Sequence, residues 1–346
     1  MKSNTALNML LVFASIYVLK AGSFIIMPFV VALFMWALIW LLDTAFDSLF
    51  LERLRLPRFT AHLSRLFSIV TIIGIFYFAL VVIKDNITGV MNSFGAYQSN
   101  LDEIIAGAGR RLNIDLSGRA DELIRGLDMK HLTGQVLQGF ASFLSSTTLI
   151  VIYLIFLLWE EKSLGRKLPL LLTDGKKVRE VRGLISKTLA KIKIYLSIKT
   201  LDSLIICALC YAVMSWVGLD FAEFWAILLF LFNFIPTIGS IAASALPMAL
   251  ALLQFNGSLV PFLVVTIGIT AVQLLVGYIL EPKLMGRSIN LSPIVQILSL
   301  VAWGYIWGIM GMFLCIPIMM ILSIILYNIP STRKIAIMMS EDGTSI

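Results

Sequence analysis

The chain has 346 residues, of which 59% are hydrophobic and 14% are charged. This composition exceeds what the core of a soluble domain needs and is typical of a protein that crosses a membrane several times. The formal net charge is +7, but the basic residues lie between apolar segments and form no single patch. They indicate membrane topology, so no nucleic-acid partner is expected.

Seven apolar segments follow one another along the chain, at residues 7–42, 66–83, 142–159, 200–218, 224–255, 259–280 and 293–327. One crossing takes roughly 17 to 25 residues. The first, fifth and last segments are too long for one crossing and barely long enough for two, so we interpret them as hairpins of short helices. The predicted fold is all-α: a polytopic helical membrane protein with broken, re-entrant helical hairpins and a small amphipathic-helical region outside the membrane.

The predicted organisation has six parts. These are N-terminal transmembrane helices (1–83), an outer-side amphipathic helical region (84–141), a transmembrane helix (142–159), a basic cytoplasmic amphipathic region (160–199), a C-terminal transport region with two re-entrant hairpins (200–330) and a cytoplasmic tail (331–346).

The distribution of basic residues supports these hairpins. Residues 160–199 contain eleven Lys or Arg residues, whereas residues 84–141 contain six basic and seven acidic residues. The first region therefore belongs in the cytoplasm and the second outside. If the three long segments turn back inside the membrane, the remaining basic loops and both chain termini also lie in the cytoplasm.

Residues 178–198 carry a stripe of apolar side chains against Lys187, Lys191 and Lys193. This pattern predicts a basic amphipathic helix that lies along anionic cytoplasmic lipid.

The strongest sequence signal for transport is a helix-breaking motif in a long uncharged stretch. Residues 224–280 contain no charge, yet they include Asn233-Phe-Ile-Pro-Thr-Ile-Gly239. Pro236 removes a backbone donor and Gly239 permits unusual backbone geometry, so the helix should open here. Asn233, Thr237 and Ser240 could then offer polar groups to a solute. The alternative is a simple proline kink repaired by Ser and Thr side chains.

Two further motifs follow. In Glu281-Pro282-Lys283-Leu-Met-Gly286, the carboxylate is expected at a helix end, with Lys283 or Arg287 as its counter-ion, in a structural ion pair or in gating. Later, Gly304, Gly308 and Gly311 precede Pro317. This spacing predicts either a close-packing face or a second reversal of the chain.

These three motifs, in this order, resemble the autoinducer-2 exporter family of bacterial membrane proteins. Its Asn-x-Ile-Pro-x-Ile-Gly pattern is similar to residues 233–239, its Glu-Pro-x-(Ile or Leu)-Met-Gly pattern to residues 281–286, and its Gly-rich stretch before a Pro to residues 303–317. The resemblance is strong over residues 199–327. The preceding part agrees only in the layout of its segments.

The resemblance implies a homo-oligomeric transporter of the bacterial inner membrane, with five subunits. It also implies export of the quorum-sensing signal autoinducer-2 as the function, although other members of the family resemble sodium(lithium)/proton antiporters.

An antiporter usually needs a deeply buried carboxylate, and the acidic candidates Asp202, Glu223 and Glu281 all lie near predicted segment ends. A small polar solute instead needs dispersed hydrogen-bonding groups. These are supplied by Asn233, Thr237, Ser240, Gln273, Tyr278, Asn290 and Gln296. The residues therefore favour the solute transporter, with the antiporter as the alternative.

Other function classes have less support. The chain has none of the metalloprotease, nucleophile-elbow or phosphate-loop motifs that would indicate an enzyme. Cys207, Cys210 and Cys315 lie inside apolar segments without further ligands and are interpreted as packing residues, so no metal or cofactor is expected. A purely structural membrane scaffold remains an open alternative.

Overall fold

The computed structural model describes residues 2–47, 60–112, 147–160, 163, 175–286 and 290–343. Ten helices lie in these ranges: α1 (Lys2–Ala21), α2 (Ser23–Asp47), α3 (Thr60–Leu112), α4 (Thr147–Glu160), α5 (Gly175–Val217), α6 (Ala222–Phe232), α7 (Ile238–Gln254), α8 (Leu259–Met285), α9 (Pro293–Asn328) and α10 (Arg333–Met339). The described part of the chain contains no strand.

Four of the helices, α2, α5, α8 and α9, are long and apolar enough to cross a membrane. Large apolar side chains such as Phe13, Tyr17 and Trp216 are exposed on the protein, as lipid-facing residues are. The predicted class, an all-α helical membrane protein, is confirmed.

The chain divides into two compact units. The first unit comprises the described residues of 1–72, 144–198 and 285–346, and the second those of 73–143 and 199–284. The transport region predicted at residues 200–330 is thus split near residue 285.

The core of the second unit is built from the apolar half of α5 together with α6, α7 and α8. Met214, Leu229, Ala251 and Ile269, one from each helix, are fully buried in this core. Helix α5 also approaches α8 closely, because a Cβ atom on Gly268 would lie 2.7 Å from Cγ1 of Val213. These four segments therefore form one packed bundle.

The C-terminal half of α3 lies against the loops of the second unit. Tyr97 donates a hydrogen bond to Asp220 at 2.7 Å, and Asn100 donates one to the Leu253 carbonyl at 3.0 Å. One turn further along, Glu103 accepts one from Asn256 at 2.7 Å. Burial, followed by the nearby Asp220 carboxylate, raises the pKa of Tyr97. The phenol therefore remains a donor at neutral pH.

In the first unit, α9 contacts α1, α2 and α10. Trp307 donates a hydrogen bond to the Leu19 carbonyl at 3.1 Å, and the Lys20 ammonium lies 3.9 Å from the centre of the Tyr305 ring. Such cation–π contacts can satisfy a lysine near apolar surface. Lys20, the charge that interrupts the first apolar segment, thus lies close to the point where α1 ends.

Helix α9 contains a sharp break at Gly308, whose φ of 63° and ψ of −144° are accessible essentially only to glycine. A Cβ atom on Gly311 would lie 1.9 Å from the Trp303 carbonyl oxygen, although residues eight apart in a straight helix are separated by about 12 Å. The two arms of α9 therefore fold against each other. The break and the close approach thus both lie among the glycines that precede Pro317.

Two predicted boundaries do not coincide with helix ends. Helix α3 continues through residues 83 and 84 to Leu112, and α5 runs without interruption through residues 199 and 200. Lys84, Lys199 and Thr200 are polar, but no proline lies there, and polarity alone changes the surroundings of a helix without ending it. The rest of the predicted outer region, from residue 113 to residue 146, lies outside the described residues.

The close approach inside α9 gives a first prediction. Gly311→Ala should lower the thermal unfolding midpoint of the purified protein, because its methyl group would overlap a backbone oxygen, and overpacking of this kind costs about 1–3 kcal/mol. Gly74→Ala is the matched control, since a Cβ atom there has nothing within 4 Å. Equal midpoints for the two variants would contradict the folded-back arrangement.

Candidate functional site

The motif at residues 233–239 separates two helices of the second unit. Helix α6 ends at Phe232 and α7 begins at Ile238. Thr237, between them, has a φ of 56° and a ψ of −59°. A positive φ is rare for a β-branched residue, and such strain is concentrated at functional positions. The predicted opening of the helix is therefore present.

Gly239 explains why the chain can turn so tightly. A Cβ atom at this position would lie 2.0 Å from the Phe232 carbonyl oxygen and 2.6 Å from Cβ of Ile235. The start of α7 is thus packed directly on the end of α6, and the two helices form a hairpin. Since α6 has 11 residues, it is about 16 Å long. It is too short to span a hydrocarbon core of about 30 Å.

The two faces of the break differ. Asn233 is 5% exposed, and its Nδ2 donates a hydrogen bond at 2.9 Å to Oγ of the fully buried Ser203 on α5. Thr237, in contrast, is exposed, and its carbonyl accepts a hydrogen bond from Oγ of Ser240 at 3.0 Å. One face of the break is therefore held by protein, while the other presents polar groups outward.

Glu281 occupies a distorted part of α8. Residues Leu275–Leu280 form a π-helical turn, and the N–H of Glu281 bonds to the Val276 carbonyl five residues back. Pro282 follows directly, and widening the turn before a proline relieves its clash with the preceding backbone. Glu281 is consequently inside the helix, one turn before its end at Met285, whereas the sequence predicted it at the helix end itself.

The counter-ion of Glu281 is Lys199. Its Nζ lies 2.6 Å from Oε1 of Glu281, and the two side chains are only 9% and 22% exposed. The sequence-based choice of Lys283 or Arg287 was therefore wrong for Lys283, which is exposed, and Arg287 lies outside the described residues. The partner of Glu281 thus lies on another helix and not in its own turn.

Asp202 lies three residues beyond Lys199 and is fully buried. Neither carboxylate oxygen has a hydrogen-bond partner among the described residues. The charges of both Glu281 and Lys199 act on it. Buried polar groups almost always have partners, so an unpartnered carboxyl group in a helical membrane protein indicates a functional role.

Lys199, Asp202 and Ser203 have the spacing i, i+3, i+4, which places them on one face of α5. Their contacts bring Glu281 of α8 and Asn233 of the break to this face. We call these five residues the polar cluster. Among the described residues, no group of three or more His, Cys, Asp or Glu side chains could hold a metal ion.

The other predicted pathway residues are distributed more widely. In the second unit, Nε2 of Gln273 donates a hydrogen bond to Oγ of Ser244 at 3.2 Å, while Tyr278 and Pro282 are exposed. In the first unit, Asn290 binds the backbone and side chain of the C-terminal segment at Glu341 and Asp342. These bonds already use much of the capacity of its amide.

Gln296, also in the first unit, donates a hydrogen bond to the Leu291 carbonyl at 2.9 Å. Pro317 is buried in the second arm of α9. The participation of these first-unit residues in a solute pathway stays a prediction.

Sequence reasoning missed Lys199 and Ser203. It placed the start of an apolar segment at Thr200, so Lys199 counted as a cytoplasmic charge and Asp202 as a residue at a segment end. The available signal was the spacing of Lys199, Asp202 and Ser203 on one helical face. Because this face precedes a long apolar stretch, its polar residues require protein partners.

Comparison with known proteins identifies the family. The sequence model described as "AI-2E family transporter" matches residues 7–331. A Haemophilus influenzae protein named "Putative transport protein" is 29% identical over 330 residues, covering 93% of this chain and 92% of its own. The AI-2 transport protein TqsA of Escherichia coli strain K12 is 33% identical over 238 residues, covering 67% of this chain and 66% of its own. The helical membrane architecture agrees with these matches, and the chain belongs to the AI-2E family of transporters.

Proposed function

We propose that the protein exports a small polar solute such as autoinducer-2, and that the solute passes the break between α6 and α7. The observation that carries the proposal is the two-sided character of this break: Asn233 is anchored to Ser203, while strained Thr237 is exposed. The name of the related TqsA protein supports autoinducer-2 as the solute.

In this proposal the polar groups act in sequence. Thr237, Ser240 and the backbone of the break offer donors and acceptors to hydroxyl groups, as unwound helices do in other transporters. Gln273 extends the polar path along α8. The Lys199–Glu281 pair acts as a gate, because its separation would remove the charged link between α5 and α8.

The surroundings of the protein are part of the same proposal. The chain lies in the bacterial inner membrane with both termini in the cytoplasm, and five copies assemble. The exposed basic residues of 178–198, including Lys187, lie on anionic lipid. Lys193 has an additional contact within the protein, since its ammonium lies 4.3 Å from the centre of the Trp40 ring.

A sodium(lithium)/proton antiporter is the second candidate. The observation in its favour is the polar cluster, where the buried carboxyl group of Asp202, which has no hydrogen-bond partner among the described residues, accompanies the Lys199–Glu281 ion pair. Flux from purified protein in proteoliposomes separates the two candidates. Movement of labelled autoinducer-2 supports the exporter, whereas proton movement driven only by a sodium gradient supports the antiporter. If neither autoinducer-2 nor protons move, the scaffold alternative is favoured.

The break itself can be tested with two substitutions. Asn233→Ala removes the anchor to Ser203, and Pro236→Ala restores a backbone donor that favours a continuous helix. We expect each to lower autoinducer-2 flux about tenfold, which corresponds to about 1.4 kcal/mol, with a smaller loss of protein in the membrane. Asn328→Ala is the control, because the Asn328 side chain donates its hydrogen bond to the Ile324 carbonyl of its own helix.

The measurements are initial rates of flux and the amount of each variant in the membrane. Equal losses of flux and protein would favour a simple proline kink.

The gate can be tested at Glu281. Glu281→Gln keeps the shape of the side chain but removes the charge that binds Lys199, so the rate of solute exchange should fall while solute affinity is largely kept. Equilibrium binding and exchange kinetics of the same purified protein measure the two quantities. Abolished binding would contradict a gating role. Lys283→Gln, at an exposed position in the same turn, should leave both unchanged.

A further inference from the structure

We propose that Asp202 is a proton-binding site that couples solute export to the transmembrane proton gradient. The inference rests on the proposed function, since a solute must move for coupling to be measured. It assigns to Asp202 a role that is separate from the gate at Glu281.

The first argument is the environment of Asp202. The side chain is fully buried, and its two oxygens receive no hydrogen bond within the described part of the protein. An ionised carboxylate in such a place is strongly disfavoured, whereas the neutral acid is tolerated far better. The arrangement in this structure is therefore the one expected for a carboxyl group that holds a proton.

The second argument is the charge of the polar cluster. The positive Lys199 and the negative Glu281 form one close pair. With a proton on Asp202 the cluster is neutral, and without it the cluster carries one negative charge in a buried place. Lys199 from α5 and Glu281 from α8 are the charged groups that act on Asp202. The cluster thus has a place for one exchangeable proton.

The third argument is how proton loss would be transmitted. Lys199 lies one helical turn from Asp202, and its long side chain can rotate between two acceptors. When the O–H bond of Asp202 breaks and the proton passes to water, the new carboxylate competes with Glu281 for Lys199. The link between α5 and α8 weakens, next to the Ser203 contact that anchors the break. When a proton binds again, the Lys199–Glu281 pair is restored, and no other reactant is consumed.

The test is the response of autoinducer-2 export to a pH gradient in proteoliposomes, with the membrane potential held at zero. For one proton per solute, the wild-type protein should accumulate solute by up to about tenfold per pH unit, because equal free energies give equal concentration ratios. Asp202→Asn should reduce the ratio of the solute concentrations on the two sides of the membrane to one. Asp202→Glu should restore a gradient-dependent ratio with a displaced pH profile, which a merely structural role would not produce.

Asp220→Asn is the matched control, since Asp220 contacts Tyr97 and lies outside the polar cluster. It should retain the wild-type ratio. Infrared difference spectroscopy of the purified protein gives a readout that does not depend on transport. The carbonyl band of a protonated carboxyl group should be present in the wild type and absent in Asp202→Asn.

The outcomes separate this inference from the proposed function. Solute flux that does not depend on the pH gradient would overturn proton coupling, while the proposed export function would stand. A sodium gradient that drives flux at constant pH, with no protonated Asp202 band, would also overturn it. If autoinducer-2 does not move but the Asp202 band and pH-dependent proton binding are present, the proton site stands and the assigned solute is wrong.

Discussion

The ion pair between Lys199 and Glu281 is the contact on which the arrangement of the second unit depends. An exposed pair contributes only about 0–1 kcal/mol, but these side chains are 9% and 22% exposed. In such surroundings the loss of one partner leaves an uncompensated charge, which costs about 3–5 kcal/mol. The pair therefore need not hold α8 on α5 more firmly than apolar packing of the same area would, but the removal of either partner alone is costly.

The polar face of α5 connects the two transport motifs. Because Lys199 and Ser203 are four residues apart, the side chain that holds Glu281 and the side chain that holds Asn233 point the same way from one rigid helix. Asp202 lies between them in the sequence, and its carboxyl oxygens have no hydrogen-bonding partner in the part of the chain that the structure describes. A change of charge at this residue acts on a neighbouring ion pair first, and through the shared helix face on the anchor of the break.

Much of the fold could be predicted from local sequence. Proline and glycine determine where a helix can break, so the interruptions near Pro236 and Gly308 were predictable from residue type and segment length. Helix continuity through residue 84 was harder to predict, because the hydrogen bonds of a helix do not depend on the polarity around it.

The site was less predictable for a different reason. The partner of Glu281 is 82 positions away along the chain, and the packing of helices that are distant in the sequence brings the two side chains together. Charges near in sequence were therefore a poor guide. The spacing of Lys199, Asp202 and Ser203 on one helical face was the only local signal, and it does not reveal that Asp202 is fully buried, since burial depends on packing between helices that are distant in the sequence.

The break between α6 and α7 is the place where the proposed function brings the solute into contact with these features. Main-chain groups released from a helix at membrane depth are tolerated only where protein or water receives them. Here one side of the break is packed against protein, since Asn233, Phe234 and Ile235 are all buried. The other side presents Thr237 in a strained conformation that a rigid surrounding must maintain. A break that served only to bend a helix would need no such strain, whereas a solute-binding turn needs one anchored face and one open face.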